Sequence, residues 1–338
     1  MSTTRMTFVS FGAALLLAAP GVANAQHKLT VAMPTTPPNI VHMPMHIAND
    51  LGLFKKYGLE VKIIELAGGA FTFRAVVAGS ADVASVPGPL TTVARSKGTA
   101  TKMVVANMPK LEASMIVTKD IKTLADLKGK RIGIQEPGGF ADTLARGVLR
   151  AAKIDPKEVT FVAIATEDVP ALVAGQIDTA ILHVEQEIIA QQKIPGVHAI
   201  ARMWELQPEN LYNVLVVTEK LIKENPAAVK AVVKAHVEAT RLIYTDRAKV
   251  LPIIVKYTKL PPDVAEKSLD FMVQQCIWDG NHGLTPKRVN GTAALMERVG
   301  NIPKGEAPKY EDLVDLSFVN ESIKELGEYK GPLCPSEE

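Results

Sequence analysis

Residues 131–182 read RIGIQEPGGFADTLARGVLRAAKIDPKEVTFVAIATEDVPALVAGQIDTAIL. Arg131 to Gln135 is short, apolar at alternate positions and closed by Pro137-Gly138-Gly139, which predicts a strand running into a glycine turn. Ala141 to Ala152 then repeats its apolar residues at helical spacing. Val159 to Ile164 reads as a strand, Val169 to Ala174 as a short helix, and Asp178 to Leu182 as another strand. Strands that alternate with helices through glycine turns predict parallel sheets covered by helices.

The same plan stands upstream. Leu29 to Met33 predicts a strand, followed by a proline-rich loop over residues 34–39 and a helix from Met43 to Leu51 that stops at Gly52. Glu60 to Leu66 predicts the next strand. Gly68-Gly69 then opens a helix over Phe71 to Ala78, closed by Gly79, before strands at Asp82 to Val86 and Met103 to Ala106. The two copies share a plan but are too divergent to count as a sequence repeat. Beyond Leu215 to Thr218 the pattern turns to long helices: Pro226 to Tyr244, Arg247 to Tyr257, Pro262 to Gln275 and Pro286 to Val299. Ser114 to Thr118 and Leu211 to Val217 are extended, and each is expected to carry the chain between halves. Two crossings make a hinge. The expected division is one lobe from 26–114 plus 214–338 and a second from 115–213, since a chain of this length exceeds one ordinary core.

The first 25 residues are expected to be a cleaved signal peptide. Arg5 gives a basic start, Phe8 to Ala19 is an apolar run too short for an ordinary membrane span, and Ala23-Asn24-Ala25 has the small-x-small pattern of a cleavage site. No cysteine stands there to take a lipid, so the expected location is the periplasm. With 38 Lys and Arg against 36 Asp and Glu, the net charge of +2 and the absence of basic runs exclude nucleic acid as a partner. An oxidising compartment permits a bridge between Cys276 and Cys334, pinning the tail; two idle thiols is the alternative.

One set of residues resembles a family. Asn39-x-x-His42-x-Pro44 leads into Ala48-x-x-x-Gly52-x-Phe54-x-x-x-Gly58-Leu59-x-Val61, then Gly68-Gly69 and Val77-Ala78-Gly79-x-x-Asp82-Val83-Ala84. Leu124-x-Asp126-Leu127-Lys128-Gly129-Lys130-x-Ile132-Gly133 with Pro137-Gly138 follows, then Leu172-x-x-Gly175-Gln176-x-Asp178-x-Ala180 and Glu224-Asn225-Pro226. In order and spacing the chain resembles the nitrate/sulfonate/taurine and thiamine-precursor periplasmic binding proteins. The resemblance implies an α/β, two-lobed type II periplasmic-binding-protein fold with a ligand cleft between the lobes. It also implies a monomer that closes on a small molecule and docks on the membrane permease of an ABC transporter.

Gly68, Gly69, Gly138 and Gly139 each precede a helix, whose free N–H groups can face an anion in the cleft. Arg74 is one turn into the first of these helices and suits bidentate binding of an acid. Phe71 is a candidate apolar wall, and Pro87 and Phe140 complete that lining. Asn39 and His42 lie in the first loop, where the family pattern also has a histidine. His183 and Glu185 emerge at the carboxyl end of a strand, where open α/β sheets bind ligands; relatives have an acidic residue and a proline near there, whereas this chain has Glu185-Gln186. Tyr212 and Asn213 sit at the second crossing. Asp142 is placed to cap the helix after Gly139, and Asp82 and Asp178 to serve strand ends. His42-Met43-Pro44-Met45-His46 mixes soft ligands, but methionine is ordinary packing filler, and no metal or cofactor is expected.

Related folds include pyrimidine-synthesis enzymes, in which the resemblance implies a cysteine-rich motif that this chain lacks. No nucleophile elbow or phosphate loop is present, so no catalysis is expected. The expected cargo is a small organic anion, a sulfonate or carboxylate, with a pyrimidine-type thiamine precursor as the alternative. Signalling through a membrane receptor is the other use of such a protein.

Overall fold

The computed structural model describes residues 27–135, 137, 139–164 and 168–331. The expected signal peptide, Gly138 and Cys334 therefore lie outside the described residues.

Among the described residues, ten strands form two sheets. The first contains β1 (His27–Met33), β2 (Leu59–Glu65), β3 (Val83–Pro87), β4 (Thr101–Met108) and β10 (Asn213–Thr218). The second contains β5 (Ala113–Val117), β6 (Arg131–Ile134), β7 (Thr160–Ala163), β8 (Thr179–His183) and β9 (His198–Arg202). Their orders, β2-β1-β3-β10-β4 and β7-β6-β8-β5-β9, follow one scheme. In both, the fourth strand is antiparallel to its neighbour and adjoins a passage between the sheets in sequence. The chain thus has the two-lobed α/β architecture of type II periplasmic binding proteins.

The passages differ from expectation. Ser114 to Val117 lies inside β5 and Asn213 to Val217 inside β10. The chain leaves the first sheet over residues 109–112 and returns over 207–212. A buried central strand and an apolar crossing are both extended and apolar, so pattern alone does not separate them. The two passages run side by side, with Tyr212 N donating to Pro109 O at 3.2 Å. The helix Pro286–Arg298 holds them from outside: Leu211 N donates to Thr292 Oγ1 at 2.8 Å, and Arg288 donates to Pro208 O at 3.0 Å.

Local chemistry explains the element ends. Pro44 begins the helix Met43–Asp50, and Gly52, at φ +70°, stops it where a side chain would be strained. Asp82 and Asp178 clamp strands as expected: Asp82 Oδ2 accepts from Thr30 N at 2.7 Å, and Asp178 Oδ2 from Arg131 N at 2.8 Å. The helices after β10 pack on the first sheet, and Val229, Val232, Val233 and Val237 of Pro226–Thr245 belong to its main core. Cys276 is disulfide-bonded.

Gly88 begins a helix directly after β3 and touches the return passage. Its N–H donates to Tyr212 O at 2.9 Å, and a Cβ there would stand 2.3 Å from Leu211 O. Backbone cannot move aside as a flexible side chain does, so Gly88→Ala is expected to lower unfolding free energy by about 1–3 kcal/mol. Urea melts check this; an unchanged midpoint means that the passage shifts freely.

Candidate functional site

The residues that follow β1, β3, β6 and β8 converge on the crevice between the two sheets, at the strand ends where this architecture binds ligands. Asn39 from the first lobe donates through Nδ2 to Glu185 Oε1 of the second at 2.9 Å. The lobes also meet where Gln192 donates to Asp263 at 2.9 Å and Trp204 packs edge-on against Phe271 at 6.1 Å. These contacts join the two lobes.

On the first-lobe side stands a buried polar group. Ser85 Oγ donates to Asn213 Oδ1 at 2.6 Å, and Asn107 Nδ2 lies 3.2 Å from that same oxygen and 3.3 Å from His42 Nδ1. All four residues are buried. Burial, reinforced by the positive charges of His183 and His46, holds the His42 imidazole down at about 3. It is a neutral ring at physiological pH.

The second-lobe side is acidic. Glu112, fully buried in the outgoing passage, accepts from His183 Nδ1 at 2.6 Å through Oε1 and from Val184 N at 3.3 Å through Oε2. Burial by itself lowers His183, but the charge and hydrogen bond of Glu112, aided by Glu185 and Asp168, push it up to about 9. His183 is an imidazolium there, and Phe140 stacks on it at 5.2 Å with ring planes 9° apart. Burial and the neighbouring charge of Glu112 raise Glu185. Burial raises Asp168 against the bond from Gln135, whose Nε2 donates to Asp168 Oδ2 at 3.1 Å. Tyr212 packs 6.2 Å from Phe140, its phenol raised by burial and then by Glu112 and Glu185. Among the described residues, Glu185 Oε2, Asp168 Oδ1 and Asn107 Oδ1 are buried without a partner.

Asn39, His42, Phe140, His183, Glu185, Tyr212 and Asn213 therefore come together as one cluster. Gly68, at φ +111°, caps the helix Gly69–Val77, and Gly69 lies so close to Pro87 that a Cβ would meet its Cδ at 2.3 Å. Gly139 caps the helix Phe140–Ala151. Asp142 does not cap it; it sits in the first turn, buried, and accepts from Arg146 Nε at 2.8 Å, because Gly139 already supplies the extended cap backbone. Phe71 and Arg74 are exposed, with the guanidinium 4.4 Å over the ring. Among the described residues no hydrogen bond or ion pair joins Arg74 to the cluster. Ser85, Asn107, Glu112 and Asp168 belong to the cluster and do not stand out in the sequence; a single polar residue inside an apolar strand, as in Met103 to Met108, is the one signal for Asn107.

A cavity of about 510 Å³ lined by Val77, Gly79, Asp82, Thr101 and Lys220 lies at the opposite end of the first sheet. Among the described residues, no group of three or more His, Cys, Asp and Glu is placed to hold a metal ion, and no helix is long and apolar enough to cross a membrane.

Known proteins share this architecture. The aliphatic sulphonate binding protein SsuA of Escherichia coli superposes with a TM-score of 0.69 at 19% identity, over 85% of this chain and 97% of that one. The nitrate-binding protein NrtA of Synechocystis PCC 6803 gives a TM-score of 0.69 at 15% identity over 91% of both chains. Identities this low establish the fold alone. In sequence, the binding protein YtlA of Bacillus subtilis is 24% identical over 314 residues, 89% of this chain and 92% of that protein. A thiamine biosynthesis protein of Haemophilus influenzae is 26% identical over 314 residues, 90% of this chain and 97% of that protein. The family model described as NMT1/THI5 like matches residues 39–249, which begins at the crevice residue Asn39 and takes in every cluster residue named above. With more than half of its length matched, the chain belongs to the NMT1/THI5-like family.

Proposed function

We propose that the chain is the periplasmic solute-binding component of an ABC importer, and that its cargo is a flat, nitrogen-rich heterocycle of the pyrimidine type. The observation that carries the choice of cargo is the pair of buried carboxylate oxygens, Glu185 Oε2 and Asp168 Oδ1, that have no donor among the described residues. An unmet buried polar group costs about 1–3 kcal/mol, more when charged, and a ligand N–H recovers it. A carboxyl group raised as Glu185 is can also share a proton with a weakly basic ring nitrogen. Phe140, stacked on His183 beside Tyr212, supplies a flat apolar wall.

An organic anion is the second reading. It is favoured by the His183 imidazolium and by the helix N-termini after Gly68 and Gly139. Against it stand three carboxyl groups around one cation that Glu112 already pairs, and the exposed position of Arg74. Binding without chemistry, export to the periplasm and delivery to a membrane permease are parts of this proposal, supported by the fold shared with the sulphonate- and nitrate-binding proteins.

Calorimetry with 4-aminopyrimidine and with ethanesulfonate separates the two. The heterocycle is expected to bind and to be recovered unchanged, and Glu185→Ala to weaken it about 10–100-fold, the worth of one charge-assisted hydrogen bond. Binding of ethanesulfonate alone would reverse the assignment.

A further inference from the structure

We propose that Asn107 locks His42 in the tautomer whose proton is on Nε2, so that the site selects ligands by one fixed donor and one fixed acceptor. The proposal rests on reading the crevice as the binding site and concerns how that site discriminates.

The amide orientation is set by its neighbours. Asn213 Oδ1 already accepts from Ser85 Oγ at 2.6 Å and lies 3.2 Å from the Asn107 nitrogen. With Asn213 Oδ1 as the acceptor of the Ser85 hydroxyl, turning the Asn107 amide over would bring two carbonyl oxygens to that separation inside a buried site, so in this network the nitrogen faces Asn213. Its second N–H faces His42 Nδ1 at 3.3 Å, with Ser85 Oγ, whose own proton goes to Asn213, as a further acceptor at 3.4 Å. An amide nitrogen has no lone pair to offer, so Nδ1 must be the bare ring nitrogen and Nε2 must carry the proton.

Protonating Nδ1 would set it against that N–H inside a buried site. Burial and the positive charges of His183 and His46 disfavour the imidazolium as well. His42 therefore stays a one-way donor through Nε2, which has no hydrogen bond among the described residues. Asn107 Oδ1, on the other side of the same amide, is buried without a donor among the described residues. One residue thus fixes both polarities. The complementary ligand edge carries an acceptor beside a donor, as in an aminoheterocycle or a primary amide; a sulfonate, all acceptor, matches only the histidine.

The tautomer can be read without any ligand. In protein labelled with 15N-histidine, the long-range 1H–15N pattern of His42 is expected to show Nε2–H, unchanged from about pH 5 to about pH 8. In Asn107→Asp a carboxylate replaces the donor and accepts from Nδ1–H. The proton then moves to Nδ1, the ring begins to titrate in that range, and affinity for 4-aminopyrimidine falls at least about ten-fold. An Nδ1–H pattern in the unaltered protein overturns the proposal whether or not the variant folds, as does an identical pattern in a folded variant. A locked Nε2–H tautomer in a protein that ignores 4-aminopyrimidine supports the lock and defeats only the choice of cargo.

Discussion

Trp278→Ala is expected to lower the unfolding free energy by about 3–5 kcal/mol, the cost of emptying a large aromatic site in a packed core. Trp278 is 1% exposed and sits in the main core of the first lobe with Val41 and Met43. Its indole Nε1 donates to Val41 O at 3.1 Å, its ring meets Tyr244 edge-on at 6.5 Å, and its carbonyl accepts from the Tyr244 hydroxyl at 2.7 Å. Val41 is the middle of the single turn Ile40–His42, so the indole also anchors the backbone that sets His42 against Asn107. Trp278→Ala should therefore weaken ligand binding as well as stability. Trp278→Phe keeps much of the buried area and leaves Val41 O unpaired, at a smaller cost of about 1–3 kcal/mol. Urea melts of both variants check the ranking; equal losses would mean that the hydrogen bond, and not the filled volume, dominates.

The plan of strand, glycine turn and helix is legible because each of its signals is local. Gly52 and Gly79 stop helices at positive φ, and Asp82 and Asp178 mark strand starts at matching places in the two lobes. The helices Gly88–Ser96 and Val184–Lys193 are harder to see, since each begins at once after its strand with no polar loop between. The passages are misplaced for a related reason: β5 and β10 are buried central strands whose sequence resembles a connector. At the crevice, histidines and glycines advertise themselves, and Asn39, His42, His183 and Glu185, singled out in the sequence, lie together there. Arg74 also advertises itself, yet its helix turns it to solvent over Phe71. Glu112 is not legible. It is one carboxylate beside an apolar run, and only the pairing of Ala113 with His183 in adjacent strands brings it under the imidazole.

Glu112→Gln is expected to cost about 2–4 kcal/mol at neutral pH, toward the lower end for breaking a buried ion pair because His183 can release its proton. Glu112 is fully buried, His183 is one-fifth exposed on its side chain, and the two are 2.6 Å apart. The folded-state pKa of His183 is raised to about 9 from the ordinary 6.5, with Glu112, Glu185 and Asp168 supplying the negative charge and neutral His42 on the opposite wall. A raised histidine stabilises the fold fully below its unfolded pKa, and that contribution disappears as pH climbs through the folded value. The normal protein should thus lose stability between about pH 6.5 and about pH 10 through this pair, beyond what its lysines and tyrosines contribute. Glutamine keeps the shape and can still accept from Val184 N, but it brings no charge, so His183 loses the strongest of the groups that raise it, leaving Glu185 and Asp168, and this component shrinks. The difference between the two proteins in urea melts should be largest near pH 6 and shrink toward pH 10. A difference that stays constant with pH would mean that Glu112 acts by packing and hydrogen bonding alone. Because His183 underlies Phe140, the same substitution should also loosen the stacked wall of the crevice, and the affinity for a flat ligand should fall with the charge.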